Sequence, residues 1–237
     1  MEQRGIREQT VLATKHTTNY HRGKDGQHSC YVGNSVKSMY SSVAASLRKL
    51  RTDCINILYV HWWDYTASVE EVMDGLHTLV LQGKVLYLGV SDTPTWVVSQ
   101  ANTYARLTGR TPFTIYQGKW SILDRDLERD ILRKVYPPAS PSLCTDGDDL
   151  RTRNGDRPWN VLGGGKIRTD AEEQQRIESG EKGCQIFGDW LRTPEGRRVC
   201  AELEKVVEEV GAIAWIASYG RVPHRRRARG RAAVRQY

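Results

Sequence analysis

Short apolar runs alternate along this chain with stretches of helical spacing, and this alternation limits the folds open to it. Residues Ile55 to Val60 are almost continuously apolar, which predicts a strand buried on both faces. The same patterns predict strands at 11–14, 85–90 and 113–116, and helices at 35–50, 68–82, 93–109 and 124–135. The order β, α, β, α therefore predicts a parallel sheet with helices outside it, either open or closed into a barrel.

The regular pattern stops at Tyr136, where Pro137, Pro138 and Pro141 interrupt a stretch without periodicity. A structureless insert of this length is unusual in a compact α/β domain. The pattern returns at residues 158–162, which could form a fifth strand, and residues 167–185 are polar enough to predict a loop or a frayed helix. Thr193 and Pro194 then open a further helix that is expected to end at Gly211.

The net charge of +7 comes entirely from the end of the chain. Seven arginines lie between Arg221 and Arg235, and the rest of the chain has 28 basic and 28 acidic residues. A nucleic-acid-binding protein usually spreads basic residues over its folded surface. Nucleic acid is therefore an unfavoured partner, although an arginine run attracts phosphate by itself.

The five cysteines are scattered, and no two of them form a Cys-x-x-Cys pair. This spacing favours free thiols in a reducing compartment over a zinc site or a disulfide framework. The longest apolar runs are too short to cross a membrane, and residues 1–5 lack the apolar core of a secretory signal. We therefore expect a cytoplasmic protein with no bound metal and no membrane partner.

Polar side chains follow the predicted strands at their ends. The motifs are Leu12-Ala13-Thr14-Lys15, Tyr59-Val60-His61-Trp62-Trp63-Asp64, Gly89-Val90-Ser91-Asp92, Tyr116-Gln117 and Trp159-Asn160-Val161-Leu162-Gly163-Gly164-Gly165. In this order and spacing they resemble the aldo-keto reductases, in particular the branch of fungal aryl-alcohol dehydrogenases and norsolorinic acid reductases. The resemblance covers about residues 8–135 and 158–217.

The resemblance implies an α/β fold of the (α/β)8 TIM-barrel type with its site at the carboxyl ends of the strands. Strands three to seven of that barrel are recognisable, so we expect an incomplete barrel over residues 1–219. Within it, residues 136–157 would be an irregular insert, and residues 220–237 a basic, disordered tail. Abrupt loss of pattern in these two stretches suggests out-of-frame or mis-spliced translation.

Lys15 matches the family's catalytic lysine, and His61 matches the histidine that orients the substrate carbonyl. A lysine in this position would lower the pKa of an acidic tyrosine, and the histidine would polarise the carbonyl. The segment that carries the family's catalytic aspartate and tyrosine has no match in this sequence. The structural alternatives are a lysine that extends to solvent and a histidine that caps its strand and bonds to a neighbouring loop.

Further matches imply that the chain binds NADP(H). Ser91 and Gln117 would hydrogen-bond the nicotinamide carboxamide, with Asp92 standing where many relatives have asparagine. Trp159 would stack on the nicotinamide ring, and barrel packing is its alternative role. The turn formed by Leu162, Gly163 and Gly164 would lie close to the cofactor phosphates.

Trp62 and Trp63 would form a wall of the substrate pocket, unless they only pack against the core. Aromatic walls suit an aryl or polyketide-like carbonyl or alcohol as the small-molecule substrate. The function implied is an NADP-dependent oxidoreductase that reduces an aldehyde or ketone, as in secondary metabolism of the aflatoxin type. The alternative is a truncated, catalytically inactive relative that acts as a binding protein or has no activity.

Overall fold

The computed structural model describes residues 5–21, 28–129 and 155–210, except for 182, 184, 186 and 187. Strands and helices alternate in the predicted order. They are β1 (Ala13–His16), α1 (Val36–Leu50), β2 (Ile55–Val60), α2 (Val69–Leu81), β3 (Val85–Ser91), α3 (Thr95–Thr108), β4 (Phe113–Gln117), β5 (Gly155–Asp156), α4 (Asp170–Ser179) and α5 (Pro194–Val210). The chain divides into two compact units, residues 1–120 with 125–159, and residues 121–124 with 160–237. The expectation of a single incomplete barrel over residues 1–219 stays a prediction.

The five strands of the first unit form one parallel sheet in chain order. β1 begins at Ala13, two residues later than the predicted strand, so Lys15 is a strand residue and not the first residue after it. The register sets Lys15 beside Tyr59 and Tyr59 beside Gly89. Because all the strands run in one direction, their carboxyl ends meet at the same edge of the sheet.

Helices α1, α2 and α3 follow the strands. α1 and α2 begin at the serines that the sequence indicates, Ser35 and Ser68, whereas α3 begins one residue later than predicted, with Pro94 as its N-cap. Ser68 accepts a hydrogen bond from the Glu71 backbone N–H at 3.1 Å, which caps α2 as expected. Ser68 and Glu71 have the spacing of a capping box, but the box is incomplete because the Glu71 carboxylate accepts from the Val36 N–H, at the start of α1, at 3.2 Å. α1 and α2 are therefore fixed to each other at their amino-terminal ends.

One side chain ties α3 to the sheet. Buried Asn102 accepts the Phe113 N–H at 2.8 Å and donates to the Phe113 carbonyl at 3.2 Å. A buried polar group is stable only when it is hydrogen-bonded, and here both halves of the amide are satisfied by one residue of β4. This contact fixes where β4 begins and hence where Gln117, at its end, is presented.

The fifth strand differs from the sequence prediction. β5 lies at Gly155–Asp156, inside the stretch expected to be an irregular insert, and pairs with Ile115 and Tyr116 of β4. Of the predicted strand at 158–162, only Trp159 is paired, through a single bridge to Lys119. Backbone pairing with β4 holds residues 155–156 in a strand, although this segment has no apolar periodicity. Residues 136–154 lie outside the described residues.

The helix predicted at 124–135 is wrong at its start, where residues 126–128 form a single 3₁₀ turn. Residues 130–135 lie outside the described part of the chain. The helix expected at Thr193 is confirmed as α5, and Thr193 caps it by accepting the Gly196 N–H at 3.1 Å. Its predicted end at Gly211 and the basic tail also fall outside the described residues.

In the second unit, the polar stretch expected to be a loop or a frayed helix contains the regular helix α4. Thr169 and Glu172 form a complete capping box at its start. Glu173 is 2% exposed and accepts hydrogen bonds from Arg168, Arg192 and Arg197 at 2.6–2.9 Å. This buried ionic cluster, and not an apolar stripe, holds the helix, so hydrophobic periodicity could not reveal it.

Among the described helices, none is long and apolar enough to span a membrane.

Candidate active site

The carboxyl edge of the sheet brings together five side chains from five separate segments of the first unit. They are Lys15, His61, Asp92, Gln117 and Trp159. The Lys15 ammonium donates to the side-chain oxygen of Gln117, 102 residues away in the sequence. The Trp159 indole N–H donates to Asp92 Oδ1 at 3.1 Å, and the Asp92 backbone N–H donates to the Gln117 carbonyl at 3.1 Å. Parallel pairing thus turns five distant motifs into one cluster.

Burial and charge act on the titratable members of this cluster. Partial burial lowers the pKa of Lys15, against the opposing charge of Asp92. Burial also lowers the pKa of His61, and the positive charge of Lys15 lowers it further. His61 is therefore a neutral imidazole at neutral pH, with one ring N–H to donate.

Tyr59 forms the floor beneath Lys15. The Lys15 Nζ lies 5.7 Å from the centroid of the Tyr59 ring, so the ammonium faces an aromatic surface. The ring crosses β3 at Gly89, where an added Cβ would lie 2.5 Å from two of its carbons. Position 89 therefore requires glycine, since any side chain there would displace the ring that supports Lys15.

His61 is held by the loop that follows β1. The Thr18 hydroxyl lies 3.0 Å from His61 Nδ1, and the Trp62 indole N–H donates to the same hydroxyl at 3.3 Å. The alternative in which His61 bonds to a neighbouring loop is therefore what the structure shows for Nδ1. Nε2 is the ring nitrogen left for a substrate.

A strained residue begins this loop. Thr17 is fully buried with φ of 97°, a conformation that is rare for a β-branched residue. Its hydroxyl donates to Asn34 Oδ1 at 2.7 Å, and its carbonyl accepts the Gly33 N–H at 2.8 Å. The Asn34 N–H in turn donates to Asp64 at 2.8 Å. Strain of this kind persists only where the surroundings impose it, and it is common at functional sites.

The predicted site residues differ in how deeply their side chains are buried. Ser91 is fully buried, and its hydroxyl donates to Asp92 Oδ2 at 3.2 Å, so the Asp92 carboxylate, and not Ser91, is presented at the edge. Trp62 is 39% exposed and has surface for a ligand. Trp63 is 6% exposed, a burial that favours the packing role over a pocket wall.

The remaining predicted cofactor residues lie in the second unit. Leu162 is 38% exposed and precedes a tight turn in which Gly163 and Gly164 have φ of 60° and 65°. Only glycine adopts two such conformations in succession without strain. The turn is closed by the Gly165 N–H, which donates to the Leu162 carbonyl at 3.0 Å. Its contact with cofactor phosphates stays a prediction.

Metal chemistry has no support in the described part of the chain. No group of three or more His, Cys, Asp or Glu side chains there is arranged to hold an ion. Cys30, Cys54 and Cys200 are free thiols.

Tyr59, Thr18 and Asn34 belong to the site but were not expected from the sequence. Tyr59 lies within an apolar run and is hidden as a core residue. Thr18 and Asn34 lie in a loop that is rich in polar residues, and residue type alone does not distinguish these two from the others. The one available signal was the position of Thr18, three residues after Lys15, because residues just past a strand end remain at the same edge of the sheet.

Comparison with known proteins finds extended sequence similarity. The model of the aldo/keto reductase family matches residues 1–218. An NADP(+) aryl-alcohol dehydrogenase of Phanerodontia chrysosporium is 56% identical over 218 residues, which cover 90% of this chain and 53% of that protein. Norsolorinic acid reductase of Aspergillus flavus is 50% identical over 177 residues, 74% of this chain and 42% of that protein. The chain thus spans about half the length of these curated relatives.

Proposed function

This chain belongs to the aldo/keto reductase family, its parallel sheet and alternating helices fit an incomplete α/β barrel, and we propose that it is an NADP(H)-dependent oxidoreductase. The substrate class is an aryl or polyketide-like aldehyde or ketone, or the corresponding alcohol. Two named relatives motivate this class, an aryl-alcohol dehydrogenase and a norsolorinic acid reductase. The free thiols of Cys30, Cys54 and Cys200 support a reducing, cytoplasmic location.

The observation that carries the proposal is the cluster of Lys15, His61, Asp92, Gln117 and Trp159 at one edge of the sheet. There the Lys15 cation donates to the Gln117 amide, the Trp159 indole donates to the Asp92 carboxylate, and the neutral His61 imidazole lies close enough for the Lys15 charge to lower its pKa. Titratable groups with shifted pKa values at the carboxyl ends of parallel strands are typical of catalytic sites.

The residues fit the nicotinamide end of the cofactor. The Gln117 amide and the Asp92 carboxylate provide a donor and acceptors of the kind that a carboxamide needs. The indole of Trp159, tied to Asp92 by its N–H at 3.1 Å, provides a flat surface with a fixed orientation. When bound, NADPH would supply the hydride.

The protein side of the reaction is carbonyl polarisation. His61, neutral because burial and Lys15 lower its pKa, would donate its free ring N–H to the carbonyl oxygen. The Lys15 ammonium would stabilise the negative charge that develops on that oxygen. Trp62, half-exposed beside His61, would form the aromatic wall of the substrate pocket.

The decisive measurement is calorimetric titration of NADPH into the purified chain, with NADH as a parallel ligand. Trp159→Ala should weaken NADPH binding by about 1 kcal/mol, or roughly fivefold in Kd, through the loss of ring stacking. Trp96→Ala is the matched control, because Trp96 is 56% exposed on α3 and should leave Kd unchanged. A folded protein without NADPH affinity, or equal affinity in both variants, would refute the proposed cofactor site.

Turnover is a separate measurement. NADPH oxidation in the presence of an aryl aldehyde should be lost in Lys15→Met and His61→Gln while NADPH still binds. Binding without turnover in the wild type would instead support the second candidate, an inactive dinucleotide-binding relative. One observation favours that candidate, since Lys15 donates to Gln117 and faces the ring of Tyr59, not a tyrosine hydroxyl.

A further inference from the structure

The contact between Thr18 and His61 determines more than the position of the imidazole. A neutral histidine carries one ring proton, on either Nδ1 or Nε2, and the partner of one nitrogen decides which. Here the partner of Nδ1 is the Thr18 hydroxyl at 3.0 Å. A hydroxyl can donate or accept, so the direction of this bond fixes the tautomer.

Trp62 limits the choice. Its indole nitrogen only donates, so it occupies one lone pair of the Thr18 oxygen at 3.3 Å. The hydroxyl has a single proton, and among the residues that the structure describes His61 Nδ1 is the one acceptor that this oxygen contacts. Donation to Nδ1 uses that proton fully, and the donated indole bond strengthens the hydroxyl as a donor.

The backbone around Thr18 holds the hydroxyl in place. Thr17, with φ of 97°, turns the chain sharply away from β1. Asn34 secures this turn by accepting the Thr17 hydroxyl at 2.7 Å and by donating to the Trp62 carbonyl at 3.2 Å. The same amide thus connects the segment carrying Thr18 with the segment carrying His61 and Trp62.

We propose that Thr18 is a positioning residue that donates its hydroxyl proton to His61 Nδ1 and thereby keeps the ring proton on Nε2. This inference rests on the proposed function, in which Nε2 meets the carbonyl oxygen. The opposite tautomer would present a lone pair to that oxygen and repel it. Thr18 therefore decides whether His61 can polarise a substrate.

The test is a long-range ¹H–¹⁵N correlation spectrum of the chain labelled with ¹⁵N-histidine, recorded without NADPH. The sequence has six histidines, and His61→Gln assigns the His61 signals by their loss. The wild type and Thr18→Ser should show the Nε2–H pattern. Thr18→Val should move both His61 nitrogen shifts toward each other as the tautomers mix. It should also raise the pKa of His61, because a bond donated to the neutral ring is lost.

Thr111→Val is the matched control, because the Thr111 hydroxyl makes an equivalent 3.0 Å contact with His77 Nδ1 away from the site. It should leave the His61 signals unchanged. An Nδ1–H pattern for His61 in the wild type would overturn the inference without any variant, as would unchanged His61 signals in folded Thr18→Val. Since the spectra need no cofactor, they can support or refute Thr18 whatever the outcome of NADPH binding.

Discussion

His16 offers a quantitative test of the packing beside the site. It ends β1, is 1% exposed, and neither ring nitrogen has a hydrogen-bond partner among the described residues. Burial lowers the pKa of His16 to about 4, with a smaller opposing effect of Asp64 and a small further lowering by His61. The folded protein must therefore keep this ring neutral, whereas the unfolded chain can protonate it at about its ordinary pKa of 6.5.

The direction of the pH effect on stability follows from the number of protons that the folded and unfolded states bind. Between about pH 6.5 and pH 4 the unfolded state binds a proton that the folded state does not, so acid favours unfolding. A displacement from 6.5 to about 4 corresponds to roughly 3 kcal/mol of unfolding free energy lost by pH 4. The contribution of the neutral His16 ring to the unfolding free energy is fully present above pH 6.5. It stops decreasing once the ring is also protonated in the folded protein.

The assay is urea unfolding of the wild type and His16→Leu at several pH values between 7 and 4. Leucine fills similar volume without a titratable group, so the variant should lose less stability than the wild type over this range, by about 3 kcal/mol. Thr14→Val is the matched control on the same strand, because it removes a hydroxyl contact with Ser46 but no titration. An unchanged pH slope in His16→Leu would refute the reasoning.

Three further predictions test the remaining contacts. Gly89→Ala should destabilise the protein by about 1–3 kcal/mol in urea unfolding, because the new methyl group meets the ring of Tyr59; an unchanged midpoint would contradict this. Glu173→Gln should cost about 3–5 kcal/mol because buried Arg168 loses its carboxylate partner, whereas Asp170→Asn, with a carboxylate 79% exposed, should cost less than about 1 kcal/mol. Equal costs would refute the ionic cluster as the support of α4. Asp92→Ala should weaken NADPH binding in calorimetry by freeing the indole, and Asp92→Asn, which keeps an acceptor, should restore most of it.

The fold was predictable where secondary structure follows apolar spacing. Strands β2, β3 and β4 and helices α1 to α3 lie within two residues of their predicted bounds because burial against the sheet and local spacing agree there. β5 was missed, and α4 was expected only as a loop or a frayed helix, for a common reason. Backbone pairing holds β5, and the charged cluster around Glu173 holds α4, and neither leaves an apolar pattern in the sequence.

The same distinction applies to the site. Lys15, His61, Asp92, Gln117 and Trp159 could be picked out because each lies in a motif that resembles those of the aldo-keto reductases, at or near a predicted strand. Their mutual contacts could not, since a bond such as that from Lys15 to Gln117 depends on sheet register. Thr18, Tyr59 and Gly89 acquire their roles only from those contacts.

The sequence by itself determined the alternation of strands and helices, their parallel sense, and the residue types collected at one edge of the sheet. Those features depend on local propensity and on the period of apolar residues, and both are properties of short segments of the sequence. Only the tertiary structure decided which hydroxyl meets His61, that Ser91 is buried behind Asp92, and that Trp63 packs inward. Hydrogen-bond direction and burial are properties of atoms brought together from distant segments, so they exist only once the sheet has formed.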